Sequence, residues 1–373
     1  MRIRGAVLEE TRGALTVQEL ELAAPGPHEV LVRLRASGVC HSDLNAIDGT
    51  AETPCPAVLG HEGAGVVEAV GERVSRVRPG DHVALSWLPS CRDCPECTRG
   101  FPWLCSTSWS GLSTGGLEDG TTRLSRDGEP VFHYCFLSTF ADACVVSERS
   151  CVPIPEDVPF EIAALVGCGV TTGVGAMART AETKRGDRVA VVGCGGVGLS
   201  AVMAAVALGA DPIVAVDVVQ EKIDVARSFG ATDGVLWQGS SEATAEAVRE
   251  ATDGGVDVAV EATGRAEAML TAYLATRKRG AAVLVGIPGE GAVLELPAGT
   301  VIRGERRVLG SVYGSSEPDR DFPSTLELYR EGRLPLDLLI SHRLGLDEVG
   351  RAFELMTRGE ALRVVLHIDG ASA

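Results

Sequence analysis

The first third of the chain alternates between apolar and polar residues in short segments. Residues 29–35 have an alternating pattern, and residues 65–71 form an apolar run closed by glycine. A period of two is typical of strands with one buried face. The region from about Val30 to Val83 therefore predicts a small antiparallel barrel. Residues 106–127 have no period and are rich in Gly, Ser, Thr and Asp, which predicts a long loop.

After Asp187 the rhythm changes to apolar strands separated by helical patterns. The predicted strands are 188–192, 213–216, 256–261 and 282–286. The predicted helices are 220–229, 267–276, 322–331 and 347–358, followed by a short strand at 363–368. Alternation of strand and helix is typical of a doubly wound parallel sheet. The chain therefore predicts an α/β fold with a barrel in its first part.

A glycine motif stands at the start of the second region. The run Gly193-Cys194-Gly195-Gly196-Val197-Gly198 follows an apolar strand and opens a helix. Its glycines would let a pyrophosphate approach the free N–H groups of the helix. Asp217 ends the next strand and can accept hydrogen bonds from both hydroxyls of an adenosine ribose, whereas a 2'-phosphate would meet like charge. NAD is therefore favoured over NADP. A plain tight turn, and Asp217 as a cap of the following helix, are the structural alternatives.

Four cysteines fall within fifteen residues, at Cys91, Cys94, Cys97 and Cys105. This spacing can close a tetrahedral thiolate cage, which is typical of structural zinc. An iron–sulfur cluster or a disulfide pair is the alternative.

A second set of ligand types is dispersed along the chain. Cys40, His61 and Cys168 each lie in a glycine-marked turn. Two thiolates and a neutral imidazole would neutralise Zn²⁺ and leave a fourth position open, as catalytic zinc requires. Because an isolated cysteine or histidine is more often a core residue, only their surroundings can join these three into one site.

Composition limits the partners. The 373 residues predict about two domains. The formal charge of −17 argues against nucleic acid and anionic membranes, and the only tight basic cluster is Arg303, Arg306 and Arg307. No apolar segment reaches the roughly 20 residues of a membrane helix, and no secretion signal is visible. The odd number of cysteines, eleven, suits a reducing compartment, so we expect a cytoplasmic protein.

Taken together and in order, these segments resemble the zinc-containing medium-chain alcohol dehydrogenase family, from near residue 5 to residue 368. The resemblance implies a GroES-like β-barrel catalytic domain formed by residues 1–169 and 312–373, with a structural zinc lobe at about 90–106. It implies a Rossmann NAD-binding domain at 170–311. It also implies two zinc ions per subunit.

The resemblance further implies roles for single residues. Cys40, His61 and Cys168 would be the catalytic zinc ligands, and the four lobe cysteines the structural ones. The remaining catalytic residues would be Ser42 on the substrate oxygen, Asp43 on the His61 ring, Glu62 near the metal and His41 at the pyrophosphate. The cofactor would contact Thr172, Gly193, Gly195, Gly196, Val197, Gly198, Asp217, Lys222, Ile287 and Arg363. Asp43 as a helix cap, Lys222 on a solvated helix face and Glu62 as an ion-pair partner of Arg363 are the structural alternatives.

The implied activity is reversible oxidation of a primary alcohol, medium-chain or aromatic, to an aldehyde by hydride transfer from an alkoxide on zinc to NAD⁺. Trp87, Trp109, Tyr134 and Ile287 would line an apolar pocket, with core packing as the alternative for each. Family members often carry histidine at the position of Asn45. Because an amide cannot exchange a proton near neutral pH, the proton relay from Ser42 must end differently here.

Two other functions remain open. A thiol-dependent formaldehyde dehydrogenase shares the metal motifs; glutathione is disfavoured because no basic residue lies between Cys105 and Arg123, which leaves a less charged thiol such as mycothiol. A non-catalytic zinc and nucleotide binder of the same fold is the more remote alternative. The apolar stretch Val308–Tyr313 predicts a sheet edge through which the family commonly dimerises, with a tetramer as the alternative.

Overall fold

The computed structural model describes residues 1–368, which form two compact units. The first unit contains Met1–Cys168, Glu317–Leu326 and the described residues from Asp337 onward; the second contains Gly169–Ser316 and Glu327–Leu336. Residues 312–316 and 327–336 thus lie in the second unit, whereas the prediction assigned them to the catalytic domain. Residues 369–373 of that predicted domain lie outside the described residues.

Strands make up most of the ordered backbone of the first unit. In chain order the strands of both units are β1 (Arg2–Leu8), β2 (Leu15–Leu22), β3 (Glu29–Val39), β4 (Ala57–Val58), β5 (Glu62–Val70), β6 (His82–Leu85), β7 (Leu124–Arg126), β8 (Glu129–His133), β9 (Ala143–Ser147), β10 (Cys151–Pro153), β11 (Val189–Val192), β12 (Ile213–Asp217), β13 (Asp233–Leu236), β14 (Val256–Glu261), β15 (Thr276–Leu284), β16 (Arg307–Gly310), β17 (Ile340–Gly345) and β18 (Arg363–His367).

Helices connect these strands. The α-helices are α1 (His41–Asp48), α2 (Pro95–Thr98), α3 (Ser106–Gly111), α4 (Phe160–Val166), α5 (Gly169–Gly175), α6 (Gly196–Leu208), α7 (Gln220–Ser228), α8 (Ser241–Ala251), α9 (Ala266–Ala275), α10 (Ala298–Gly304), α11 (Pro318–Arg330) and α12 (Val349–Thr357). Short 3-10 or π turns lie at Pro102–Leu104, Glu148–Ser150, Ala176–Thr180, Tyr313–Ser315, Leu336–Leu339 and Leu346–Glu348. Within residues 1–368, no single helix has both the length and the apolar character to cross a membrane; one bent pair, Phe160–Val166 with Gly169–Thr180, meets the criterion by length and composition.

The first unit is built on two sheets. Strands β1, β2, β7, β8 and β4 close into a barrel, and a second sheet runs in the order β10, β6, β5, β3, β18, β17, with β9 paired to β3. Their inner faces bury apolar side chains, including Leu34, Leu85 and Phe140, at essentially zero exposure. The structure contains a barrel, but the predicted region from about Val30 to Val83 contributes only β4 to it, and β3, β5 and β6 lie in the second sheet. The alternating pattern identified strands with one buried face but could not identify the strands with which they pair.

The predicted loop at residues 106–127 was wrong at both of its ends. Residues 106–111 form helix α3, where the Ser108 hydroxyl donates to the Pro89 carbonyl at 2.6 Å. Residues 124–126 form β7, which pairs with β2 and β8 and buries Leu124 in the barrel. Both elements are too short to show a hydrophobic period of their own.

The second unit contains one fully parallel sheet in the order β13, β12, β11, β14, β15, β16. The order reverses direction between β11 and β14, as in a doubly wound fold, and the prediction of this fold class is confirmed. At that reversal the carboxyl ends of neighbouring strands diverge, and such crevices hold ligands in open α/β sheets. Strand β15 begins at Thr276, six residues before the predicted start. The prediction missed these residues because the charged run Arg277-Lys278-Arg279 lacks the apolar pattern of a buried strand.

A buried histidine ties two loops of the first unit together. His133 is 1% exposed; its Nε2 accepts the Arg123 backbone N–H at 3.1 Å, and its Nδ1 lies 3.1 Å from the Ser138 hydroxyl. Only the neutral ring can accept at Nε2. Burial, together with the Arg123 charge, lowers the pKa of His133 to about 3.

This histidine makes the stability of the first unit depend on pH. Because its folded pKa lies below the unfolded value of about 6.5, its contribution is complete above that pH and is lost as pH falls, by about 3 kcal/mol near pH 4. We expect the gap in thermal midpoint between wild type and His133→Gln to shrink steadily from about pH 7 to pH 4. The partly exposed His342→Gln serves as control. A gap that does not vary with pH would contradict the assignment.

Candidate metal centre and nucleotide site

Sheet register brings two of the predicted ligands together. Strand β3 ends at Val39 and β5 begins at Glu62, and these antiparallel neighbours pair Gly38 with Glu62. Cys40 directly follows β3 and His61 directly precedes β5, so both lie at the same end of the sheet. Glycine at residue 38 leaves room for the Glu62 carboxylate, because a Cβ there would clash with a carboxylate oxygen and the Glu62 side chain would have to move.

The buried carboxylate of Asp43 holds both ligand segments. Its Oδ2 accepts the Cys40 backbone N–H at 3.1 Å; its Oδ1 accepts the Gly60 N–H at 3.1 Å and lies 3.0 Å from His61 Nδ1. Asp43 thus caps helix α1, as the structural alternative had it, and orients the His61 ring as well. With Nδ1 donating to Asp43, the lone pair of the imidazole is on Nε2.

Cys168 completes a cluster whose chemistry fits zinc. Donor atoms of Cys40, His61, Glu62 and Cys168 all lie within 4.8 Å of one another. His61 Nε2 is buried and has no hydrogen-bond partner among the described residues. A buried nitrogen lone pair without a donor is costly unless it binds a cation. The two cysteine sulfurs and this histidine nitrogen form a donor set that is typical of zinc.

The electrostatics of this cluster favour a positive charge between the three ligands. The Cys168 thiol, by donating a hydrogen bond, lowers the pKa of Cys40 well below its usual value. Burial opposes a charge on His61, but the Asp43 carboxylate and the Cys168 sulfur raise the pKa of that ring well above its usual range. A divalent cation can take the place of these protons, since ligands bind metal in their deprotonated forms.

The Glu62 carboxylate is engaged elsewhere. It forms a buried ion pair with the Arg363 guanidinium, and neither side chain is appreciably exposed. Register explains the pairing, because β18 begins at Arg363 and pairs Val364 with Val39 of β3. Burial raises the pKa of Glu62 to about 7, although the Arg363 charge opposes the rise. The structural alternative for Glu62 therefore holds, and the residue also lies beside the ligands.

The remaining predicted catalytic residues lie on helix α1. The Ser42 hydroxyl is 3.8 Å from the Cys40 sulfur, and His41 is exposed at the first position of the helix. Asn45 is partly buried, and its carbonyl accepts the Ala51 N–H at 2.8 Å. Ser42 is therefore the hydroxyl that lies next to the ligands.

The aromatic residues assigned to the pocket differ in their environment. Tyr134 is 8% exposed, its hydroxyl donates to the Ser42 carbonyl at 2.7 Å, and its ring meets the His61 ring edge-on at 5.7 Å. Burial raises the pKa of Tyr134 well above its usual value, so the hydroxyl remains a donor. Trp87 and Trp109 form an edge-to-face pair at 5.9 Å, and Trp109 is 40% exposed.

The four lobe cysteines surround a single point. The sulfurs of Cys91 and Cys97 are 4.0 Å apart, and those of Cys94 and Cys105 are 3.9 Å apart. Four sulfurs bound to one zinc ion at about 2.3 Å lie about 3.8 Å apart. Disulfides are excluded by these separations. Although burial opposes it, hydrogen bonds from Thr107 and two backbone N–H groups lower the pKa of Cys91 to about 6.

The glycine motif has the predicted form. It follows β11, and α6 begins at Gly196 with Gly195 as its N-cap. Gly193 has φ +96°, and a Cβ there would stand 2.4 Å from the Thr263 side chain. A Cβ on the exposed Gly195 would meet nothing within 4 Å, which leaves open space over the helix N-terminus. Such a helix N-terminus can bind phosphate through its free N–H groups.

Asp217 lies beside this motif. Its Oδ2 accepts the Cys194 N–H at 2.8 Å and its Oδ1 accepts the Val219 N–H at 3.0 Å. Val219, not Asp217, is the N-cap of α7, so the capping alternative for Asp217 does not hold. Lys222 is partly buried on α7. Burial raises the pKa of Cys194 to about 12; the Asp217 charge adds to this rise and the Lys222 charge opposes it.

The structure adds one residue that the sequence did not single out. Glu261, at the end of β14, is fully buried and accepts the Thr263 N–H, the Thr263 hydroxyl and the Gly264 N–H at 2.5 to 2.8 Å. It fixes the turn that packs on Gly193. An acid at the end of an apolar strand was its only signal. Of the other predicted cofactor residues, Thr172 is partly buried on α5 and Ile287 is 77% exposed.

Known proteins resemble this chain over nearly its whole length. A family model described as a zinc-binding dehydrogenase matches residues 196–331, and one described as an alcohol dehydrogenase GroES-like domain matches residues 26–156. A curated relative, the probable S-(hydroxymethyl)glutathione dehydrogenase 1 of Schizosaccharomyces pombe, is 37% identical over 368 residues, 98% of this chain and 97% of that protein.

Solved structures agree in fold and sequence. Benzyl alcohol dehydrogenase from Acinetobacter calcoaceticus is 33% identical with a TM-score of 0.94, covering 99% of each chain. An alcohol dehydrogenase zinc-binding domain protein from Burkholderia ambifaria is 34% identical with a TM-score of 0.95, also over 99% of each chain. Given these matches and the donor clusters described above, the chain belongs to the zinc-containing medium-chain alcohol dehydrogenase family.

Proposed function

We propose that this protein is a zinc-dependent, NAD-linked alcohol dehydrogenase that oxidises a primary alcohol, medium-chain or aromatic, reversibly to the aldehyde. The observation that carries the proposal is the buried His61 Nε2, which faces two cysteine sulfurs without any protein partner among residues 1–368. Glu62 is occupied by Arg363, so three protein ligands remain and one coordination position is left for an alcohol oxygen.

The residues present fit two zinc ions and NAD. Cys40, His61 and Cys168 would hold a zinc ion, which would supply Lewis acidity to an alcohol oxygen, and bound NAD⁺ would be the hydride acceptor. Asp43 keeps the His61 ring in the tautomer that offers Nε2. The second ion belongs to the lobe cysteines, where it stabilises the fold of the lobe.

Side chains of the protein have to remove the proton of the alcohol. The Ser42 hydroxyl lies beside the Cys40 sulfur. There it can accept the proton of the alcohol while it donates its own proton to the next group of the relay. Asn45, one helical turn further, cannot continue this transfer because an amide has no exchangeable state near neutral pH. We therefore propose that the proton leaves through water or through the exposed His41.

The preference for NAD rests on Asp217. Its carboxylate is fixed by two backbone N–H groups and keeps acceptor capacity for ribose hydroxyls. The negative charge would repel a 2'-phosphate.

An apolar or aromatic alcohol is supported by the similarity to a benzyl alcohol dehydrogenase. The similarity to a probable S-(hydroxymethyl)glutathione dehydrogenase favours a second candidate, thiol-dependent oxidation of formaldehyde. Residues 106–122 carry no basic side chain, and their acids Glu118 and Asp119 pair with Arg149 and Arg123. A thiol with fewer charges than glutathione, such as mycothiol, suits that surface better.

We also propose a homodimer in a reducing compartment, the cytoplasm. Strand β16 is the last in the sheet order. Its Val308 is 38% exposed, and Ile302 on the preceding helix α10 is 76% exposed. This edge strand is shorter than the predicted stretch 308–313, because Tyr313 already belongs to a 3-10 turn. None of the eleven cysteines forms a disulfide, which supports a reducing compartment.

The activity is tested by NADH formation with benzyl alcohol, ethanol, and formaldehyde with and without glutathione or mycothiol. We expect turnover of benzyl alcohol that needs no thiol and is abolished by removal of the metal. Ser42→Ala should slow it roughly 100-fold or more, as loss of a proton-transfer group does. Oxidation confined to formaldehyde plus thiol would establish the second candidate, and no NADH from any substrate would refute both.

The cofactor assignment is tested with Asp217→Ser. Loss of charge-assisted hydrogen bonds should raise the KM for NAD⁺ roughly 10- to 100-fold and narrow the preference over NADP⁺. Asp224→Ser is the matched control, since Asp224 lies on α7, where its carboxylate accepts a hydrogen bond from Gln220 and pairs with Arg227. An unchanged KM for NAD⁺ would remove Asp217 from the site.

The assembly is tested by sedimentation of Val308→Lys, because a lysine on an edge strand blocks strand pairing between copies. We expect the wild type to sediment as a dimer and the variant as a monomer. Leu338→Lys, at an apolar residue of the first unit that is more exposed than Val308, should remain dimeric. A monomeric wild type, or a dimeric Val308→Lys, speaks against this edge.

A further inference from the structure

We propose that Tyr134 is a positioning residue that holds Ser42 and His61 together at the metal centre, rather than a residue that lines the substrate pocket. The proposal rests on the proposed alcohol dehydrogenase activity for Ser42. The part of the proposal that concerns His61 predicts how firmly the metal is held, and it does not depend on any substrate.

One side chain makes both contacts. The Tyr134 hydroxyl donates to the Ser42 main-chain carbonyl at 2.7 Å, and the edge-to-face contact with the His61 ring has a centroid distance of 5.7 Å and an interplanar angle of 72°. The side chain is 8% exposed, so water does not compete strongly for these contacts. A tyrosine has only two side-chain torsions, and fixing both its ring and its hydroxyl makes it a rigid spacer.

The backbone around Tyr134 is itself held in an unusual conformation. Cys135, Phe136 and Ser138 have φ values of +51°, +60° and +63°. Left-handed backbone at three nearby non-glycine residues is costly and persists only where the surroundings enforce it. Ser138 supplies part of that enforcement, because its hydroxyl accepts the Tyr134 N–H at 3.2 Å and its N–H donates back to the Tyr134 carbonyl at 3.2 Å.

The hydrogen bond reaches the main chain of Ser42, and this determines how Tyr134 acts. Ser42 lies two residues after the ligand Cys40, and its hydroxyl is 3.8 Å from the Cys40 sulfur. Because the carbonyl and the hydroxyl belong to the same residue, anchoring the Ser42 carbonyl also limits where the Ser42 hydroxyl can lie relative to the substrate oxygen. Since a displacement of about 1 Å can cost roughly 100-fold in rate, losing this anchor should slow proton transfer and leave substrate binding nearly intact.

The Ser42 half is tested by a double-mutant cycle on the zinc-loaded enzyme. Tyr134→Phe keeps the ring and removes the hydroxyl; we expect kcat to fall roughly tenfold with little change in KM. In a Ser42→Ala background the same substitution should cost nothing further, because Tyr134 acts through the Ser42 hydroxyl. Losses that simply multiply would show a general structural effect and overturn this half.

A matched control is available in the second unit. Tyr273 is fully buried, and its hydroxyl lies 2.8 Å from the Thr300 hydroxyl. Tyr273→Phe also removes a buried tyrosine hydroxyl, and it should change thermal stability about as much as Tyr134→Phe while leaving kcat unchanged. A similar fall in kcat with both variants would overturn the assignment.

The His61 half is tested without turnover. Tyr134→Leu removes the ring contact, and the rate of zinc release to a chelator should rise roughly tenfold for one of the two ions, while Tyr134→Phe releases zinc like the wild type. Equal release from Tyr134→Leu and wild type would overturn this half. If the wild type oxidises no alcohol but Tyr134→Leu loses zinc faster, the proposed function fails and the role at His61 stands. If alcohol is oxidised but the cycle is multiplicative and release unchanged, the function stands and Tyr134 is not a positioning residue.

Discussion

The metal centre depends on one buried carboxylate. Asp43 is fully buried and receives hydrogen bonds from the main chain at Cys40 and Gly60 and from the His61 ring. A buried charge is tolerated only when hydrogen bonds replace its water, and here the donors come from the two segments that carry metal ligands. The hydrogen bonds that stabilise the buried charge therefore also hold Cys40 and His61 next to each other.

The two metal clusters are built in different ways. The lobe cysteines lie within fifteen residues, and their sulfurs meet because short turns and one helical turn return the chain to the same point. Cys40, His61 and Cys168 come from distant parts of the first unit, and sheet register aligns the first two. Local chain geometry thus suffices for the lobe cluster, whereas the second cluster needs contacts between distant segments of the first unit to bring its ligands together.

Buried ionic and polar pairs surround that centre. The Glu62–Arg363 pair joins β5 to β18, and the His133–Ser138 contact secures the turn that carries Tyr134. Each is costly to bury alone and is acceptable only when both partners are in place. They therefore stabilise one arrangement of strands and loops around the ligands more than they stabilise folding in general. In the second unit Glu261 plays a comparable part, since it orders the turn that packs against Gly193.

The sequence by itself determined the features that depend on neighbouring residues: the thiolate lobe, the glycine motif after β11, the acid at Asp217 and the alternation that gives each unit its fold. It also contained the ligand types at Cys40, His61 and Cys168, and the family resemblance implied that they belong to one site. Only the tertiary structure decided which donor atoms meet, that Glu62 is occupied by Arg363, that Tyr134 contacts Ser42 and His61, and that residues 106–111 are helical. The reason is physical: hydrophobic period and turn chemistry are local properties of the chain, whereas strand register and the direction of a buried side chain are set by contacts between residues far apart in sequence.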